Sequence, residues 1–135
     1  MLNRFLEDDE RRLLIEAIKC QKMVSGNHEL AEKIAQITKL EEVESGRKII
    51  SQGDYTNEIF FIINGSFSVV VNGREIAIRN IGDHIGEMGA IEPTQARTAS
   101  VIAKEKSLVA KISESEFNDL GERFPGLYKT IAKEL

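Results

Sequence analysis

Apolar and polar positions follow three successive periods along this chain. Up to about residue 38 the apolar residues recur at helical spacing: Leu14, Ala17 and Ile18 share one face, and Leu30, Ile34 and Ile37 another. Asp8, Asp9 and Glu10 suit the positive end of a helix dipole, and Ser25-Gly26-Asn27 breaks the helical run in two. Both predicted helices are short and amphipathic, so each needs a surface to pack on.

From Leu40 to Ile112 the period shortens to that of strands, and Gly46, Gly53, Gly65, Gly73 and Gly82 punctuate it. Asn64-Gly65 and Asn72-Gly73 are the dipeptides that two-residue hairpin turns require, because both positions accept positive φ. Between them Phe67, Val69 and Val71 alternate with Ser66, Ser68 and Val70, a strand with one clearly apolar face. Lys104, Glu105 and Lys106 read as a solvated hairpin turn. Short strands with turn signals at this spacing indicate an antiparallel sandwich or barrel.

Beyond Ser113 the helical period returns. Ser113-Glu114-Ser115-Glu116 has the form of a capping box, with Phe117 and Leu120 on the apolar face and Gly121 loosening the end. Phe124-Pro125 opens another helix, with proline near the first turn where a missing N–H costs nothing. Leu127, Ile131 and Leu135 fall on one face beside Tyr128, a narrow stripe suited to weak pairing with a second copy. No linker separates the zones. The expectation is one α+β domain over 1–135: a helical segment 1–38, a β region 39–112 and C-terminal helices 113–135, the last stopping without any termination signal.

Composition narrows the function. A net charge of −4 over 135 residues argues against this segment gripping nucleic acid, which needs a basic face. The longest apolar run, Ile59 to Ile63, is far too short to span a bilayer, and the first residues turn acidic too soon for a signal peptide. One cysteine, Cys20, cannot form an internal disulfide; its apolar helical neighbours suggest a buried thiol in a reducing, cytoplasmic setting. No serine has a histidine partner at a motif spacing, no Cys/His cluster is present, and no glycine loop with lysine appears, so the segment reads as non-enzymatic, with no metal and no resident cofactor. His84 reads as a solvated turn residue and His28 as a surface position near a helix start.

The chemistry concentrates between Ile81 and Ala103. Glu87 stands ten residues before Arg97, and a turn of small residues opens at Gly86. A ribose hydroxyl wants a carboxylate acceptor, and a phosphate wants arginine plus free backbone N–H groups. A cyclic nucleotide carries both groups on one small ring. The stretch Gly82-Asp83-His84-Ile85-Gly86-Glu87, followed by Arg97-Thr98-Ala99, Val101 and Ala103, is similar to the phosphate-binding cassette of the cyclic nucleotide-binding domain. That family is shared by cyclic-AMP-dependent transcription regulators, kinase regulatory subunits and nucleotide-gated channels. The resemblance extends to Gly46 through Asp54, with its Gly53-Asp54 turn, and to Ile59–Gly65.

The resemblance implies an antiparallel β-roll, or jelly-roll barrel, of about eight strands flanked by N-terminal and C-terminal helices. It gives Glu87 the ribose 2′-hydroxyl and Arg97 the exocyclic phosphate oxygens, with backbone N–H groups of Met88, Gly89 and Ala90 aimed at the same phosphate. At Gly86 a side chain would hold the sugar away from the backbone. Thr98 offers a hydroxyl to the phosphate or to a base folded over the ribose. Val69, Val71 and Ile85 are either walls for sugar and base or plain core, and Pro93 stiffens the loop. The ligand class is a 3′,5′-cyclic mononucleotide such as cyclic AMP or cyclic GMP; Thr98 suits a purine, guanine in particular, without excluding a cyclic pyrimidine nucleotide. Ligand-sensing members close a further helix over the base, and the stretch from Pro125 is short for that. Two functions fit. One is a sensor governing a C-terminal output domain, either DNA-binding or a TIR-type antiphage effector. The other is a β-roll that binds a protein partner and no nucleotide, with Glu87 and Arg97 an ion pair bracing a loop.

Overall fold

A computed structural model describes residues 2–86 and 96–127, with side chains from residue 9 onward. Two helices lead, α1 (Leu2–Lys19) and α2 (His28–Ile37). Eight strands follow: β1 (Lys39–Val43), β2 (Lys48–Ile50), β3 (Ile59–Asn64), β4 (Phe67–Val71), β5 (Arg74–Arg79), β6 (His84–Ile85), β7 (Ser100–Ala103) and β8 (Ser107–Ile112). A third described helix, α3 (Glu114–Arg123), comes after them. The strands form two four-stranded antiparallel sheets, ordered β1-β8-β3-β6 and β2-β7-β4-β5.

The apolar run Ile59–Ile63 belongs to a strand covered on both faces, which is why it does not alternate. Ile59 and Phe61 point to the helices, where they meet Ile18, Leu30, Ile34, Phe117 and Leu120. Phe60 and Ile62 point the other way, into a second core with Val43, Phe67, Ile85, Val101 and Val109. One strand therefore joins two cores, and Phe61, with no exposed surface, contributes about 2–3 kcal/mol by burial.

Local chemistry sets the boundaries. Asn27 caps α2, its side chain accepting the Leu30 N–H at 3.1 Å. The capping box at α3 is complete: Ser113 Oγ accepts the Glu116 N–H at 3.1 Å, and Glu116 Oε1 accepts the Ser113 N–H at 2.9 Å. Asn72 (φ +51°) and Gly73 (φ +80°) make the predicted two-residue turn between β4 and β5, closed by the Val71–Arg74 pair.

Several expectations need correction. Asn64-Gly65 is no hairpin, because β3 and β4 lie in different sheets; the same holds for Lys104-Glu105-Lys106 between β7 and β8. These turns carry the chain from one sheet to the other, and a turn dipeptide cannot say which strand comes next to which. α1 starts at Leu2, so Asp8, Asp9 and Glu10 lie within the helix and not in its first turn. Gly121 is buried inside α3 and does not end it. Cys20 is exposed, just past the end of α1 at Lys19, and is not the buried thiol its apolar neighbours suggested. His84 is buried (7% exposed) on β6 opposite Phe61, so it is a strand residue and not a solvated turn residue. Leu127 packs into the helix-side core; Tyr128, Ile131 and Leu135 lie outside the described residues.

The segment after α1 is fastened to β3 and to the loop before β6. Gln21 Nε2 donates to Ile62 O at 2.9 Å, the Lys22 N–H donates to Gly82 O at 2.9 Å, and Lys22 Nζ sits 2.6 Å from Asp83 Oδ1. Partial burial pushes the Asp83 carboxyl up, but the Asn80 N–H and the Lys22 ammonium outweigh that and hold it below the usual range.

Candidate functional site

The site is built around Arg97, which follows residues 87–95 and precedes β7. Its backbone is clamped first: the Arg97 N–H donates to Asp54 O at 2.7 Å, and the Gly53 N–H donates to Arg97 O at 2.8 Å. These two bonds lay the arginine along the loop between β2 and β3. That loop is anchored in turn. The Gln52 N–H donates to Ser100 Oγ at 2.9 Å on β7, and the Gln52 side chain brackets Asn72 in the β4–β5 turn with bonds of 2.9 and 3.0 Å.

The guanidinium is then held at three nitrogens. Nε donates to Thr56 Oγ1 at 3.1 Å, Nη1 to Gly86 O at 2.9 Å and Nη2 to Glu58 O at 2.8 Å. Arg97 is only 7% exposed. Burying a cation this far demands polar partners, and these three are all neutral. Together they fix the plane and the direction of the guanidinium.

Gly86 ends β6 with φ +92°. A Cβ there would lie 2.5 Å from Glu58 O, 3.0 Å from Arg97 Nη1 and 3.3 Å from Nη2. The glycine is thus required by the backbone and the arginine packed against it, a different reason from the sugar clearance inferred from sequence. Gly86 O is moreover one of the acceptors that fixes Arg97.

Of the residues singled out by sequence, the fold unites Gly86 and Arg97. Thr98 is exposed beside Arg97. Ile85 is 6% exposed and part of the core between the sheets, the plainer of its two readings. Val69 and Val71 are half-buried on β4 and belong to neither core cluster, so they remain available as apolar walls. Glu87, Met88, Gly89, Ala90 and Pro93 lie outside the described residues. Sequence reasoning missed Thr56 and Glu58. Glu58 acts through its carbonyl oxygen, which every residue type possesses, and a lone threonine in a loop carries no periodic signal. Among the described residues no group of His, Cys, Asp and Glu is placed to hold a metal ion, and no helix is long and apolar enough to cross a membrane. A groove of about 700 Å³ beside α2, lined by Glu29, Glu32, Lys33 and Arg123, includes none of the site residues.

Similar proteins place this geometry in a family. The chain is 44% identical over its whole length to the Pycsar effector protein XpPycTIR of Xanthomonas perforans, of which it covers 45%. It is 32% identical over 92 residues, 64% of the chain and 44% of the relative, to the cAMP-activated global transcriptional regulator CRP of Salmonella typhimurium. The chain thus spans less than half the length of these curated relatives. Among solved structures, the regulatory subunit of a cAMP-independent protein kinase A from Trypanosoma brucei superimposes with a TM-score of 0.77 at 26% identity, covering 91% of this chain and 47% of that one. The family profile of the cyclic nucleotide-binding domain matches residues 40–124, which takes in both sheets, α3 and the whole cradle of Arg97. With the two sheets, α3 and the Gly86–Arg97 contact inside that match, the chain belongs to the cyclic nucleotide-binding domain family.

Proposed function

We propose that this chain is a sensor module that binds one 3′,5′-cyclic mononucleotide and governs an output domain C-terminal to it. The observation that carries the reading is the buried Arg97 guanidinium, its plane fixed by Thr56 Oγ1, Glu58 O and Gly86 O, within the stretch that the family profile matches. Arg97 takes the cyclic phosphate and Glu87 the 2′-hydroxyl. Thr98 supplies a hydroxyl, the backbone of Met88, Gly89 and Ala90 further N–H groups, and Val69 and Val71 apolar walls. The relatives that match over the full chain are named as Pycsar effectors, which favours an effector over a DNA-binding output. The net charge of −4 points the same way.

One observation also favours a second reading. The bonds from Arg97 to Thr56, Glu58 and Gly86 are those of a loop brace, which a protein-binding β-roll would keep without any ligand. Thermal-shift and calorimetric titration with cyclic AMP, GMP, CMP and UMP separates the two. A ligand at about a hundred times its dissociation constant stabilises the fold by roughly 2.7 kcal/mol. Arg97→Ala lowers affinity for a ribonucleotide and its 2′-deoxy analogue alike, about tenfold or more. Glu87→Ala weakens only the ribonucleotide. No shift with any of the four at millimolar concentration rejects the sensor in favour of the brace.

A further inference from the structure

Two of the three acceptors described for Arg97 are backbone carbonyls, fixed by the start of β3 and the end of β6. Bonds at Nη1 and Nη2 alone leave the guanidinium plane free to rock about the line joining those nitrogens. The bond from Nε to Thr56 Oγ1 supplies the third point and fixes the tilt. Threonine suits this, since its branched Cβ restricts χ1. The loop that carries Thr56 is tied to the Arg97 backbone at both Gly53 and Asp54, so the hydroxyl and the guanidinium it orients hold a fixed relation. We propose that Thr56 is a positioning residue for anion capture: it holds the Arg97 plane in the orientation that a cyclic phosphate meets. The inference rests on the cyclic-nucleotide reading and adds a specific residue to it. An arginine oriented before binding loses less side-chain freedom when the ligand arrives.

Thr56 is exposed and belongs to neither core cluster, so its replacement does not hollow the interior. The test compares the parent chain, Thr56→Val, Thr56→Ser, Arg97→Lys and the Thr56→Val/Arg97→Lys double variant. Each is titrated calorimetrically with cyclic AMP, GMP, CMP and UMP, and apo melting temperatures are recorded alongside. Thr56→Val is expected to weaken whichever nucleotide the parent binds by about three- to tenfold, the size of one such hydrogen bond, and Thr56→Ser to stay within about twofold. Lysine has no Nε–H fork to align, so in the Arg97→Lys background Thr56→Val adds nothing. Unchanged affinity in Thr56→Val, or the same loss in the lysine background, overturns the proposal and leaves the sensor reading standing. A parent that binds none of the four overturns both.

Discussion

Alanine at position 86 tests the site geometry without any ligand. Two costs are expected, and a second glycine separates them. Gly46 has φ +86° and open space where a Cβ would go; Gly86 has φ +92° and a carbonyl oxygen 2.5 Å from that point. Both alanines suffer the left-handed backbone, about 1–2 kcal/mol. Only Gly86→Ala must also push Glu58 O and the guanidinium apart. Glu58 O is the acceptor for Nη2 and Gly86 O the acceptor for Nη1, so the methyl group strains two charged hydrogen bonds at once. Bonds of that kind contribute about 1.5–3 kcal/mol each, and partial loss of both puts Gly86→Ala at about 3–5 kcal/mol. Against a usual domain stability of about 5–15 kcal/mol, that leaves a measurable but fragile fold. Urea unfolding of the apo chain, with slopes compared to confirm that only the midpoint moves, reads both variants on one scale. If Gly86→Ala costs no more than Gly46→Ala, then Gly86, Glu58 and Arg97 are not packed as described and the cradle argument fails.

Two further outcomes follow from elements that fasten the helices. Asp83 is held below the ordinary carboxylate range, so its contribution is full above the unfolded value and is lost as pH falls through the folded one. The parent should therefore lose stability below about pH 4, and Asp83→Asn, weaker by about 1 kcal/mol at neutral pH, should converge with it as pH falls through the lowered folded value; a gap that ignores pH rules out the charge as its cause. Ser113→Ala removes the cap on the Glu116 N–H and should cost about 1 kcal/mol in the same urea assay, whereas a variant indistinguishable from the parent would mean that α3 is held by Phe117 and Leu120 alone.

What the sequence disclosed follows from how each feature is encoded. The Asn72-Gly73 turn and the Ser113–Glu116 box are local, a few residues whose own conformations make the structure, and both were legible. Strand adjacency is not local. Asn64-Gly65 has the same hairpin signature as Asn72-Gly73, yet it joins two sheets, because the partners of β3 are β8 and β6, brought in from far along the chain. His84 was misjudged for the same reason: its turn-like neighbours Gly82 and Asp83 say nothing of Phe61 waiting across the strand. At the site, Gly86 and Arg97 could be singled out from sequence, while the acceptors that hold the arginine were hidden in a loop threonine, Thr56, and in the backbone of Glu58 and Gly86 itself.

That hidden half explains why position 97 calls for arginine. Three acceptors from two separate connections, the β2–β3 loop and the end of β6, surround one flat group, each meeting a different nitrogen. A lysine ammonium presents three donors from a single atom and cannot sit 2.8–3.1 Å from all three places at once. The planar fork ties the loop to the strand end through three different nitrogens. Bracing and the proposed anion capture would then be two uses of one arrangement. Arg97→Ala must lower the apo melting temperature whichever use dominates, so a loss of stability decides nothing. Only the split between affinity for the cyclic phosphate and stability of the empty chain separates a sensor from a scaffold. Titrating Arg97→Ala with the cyclic nucleotide beside its apo melt supplies that split: a sensor loses affinity about tenfold or more, whereas a scaffold has no affinity to lose.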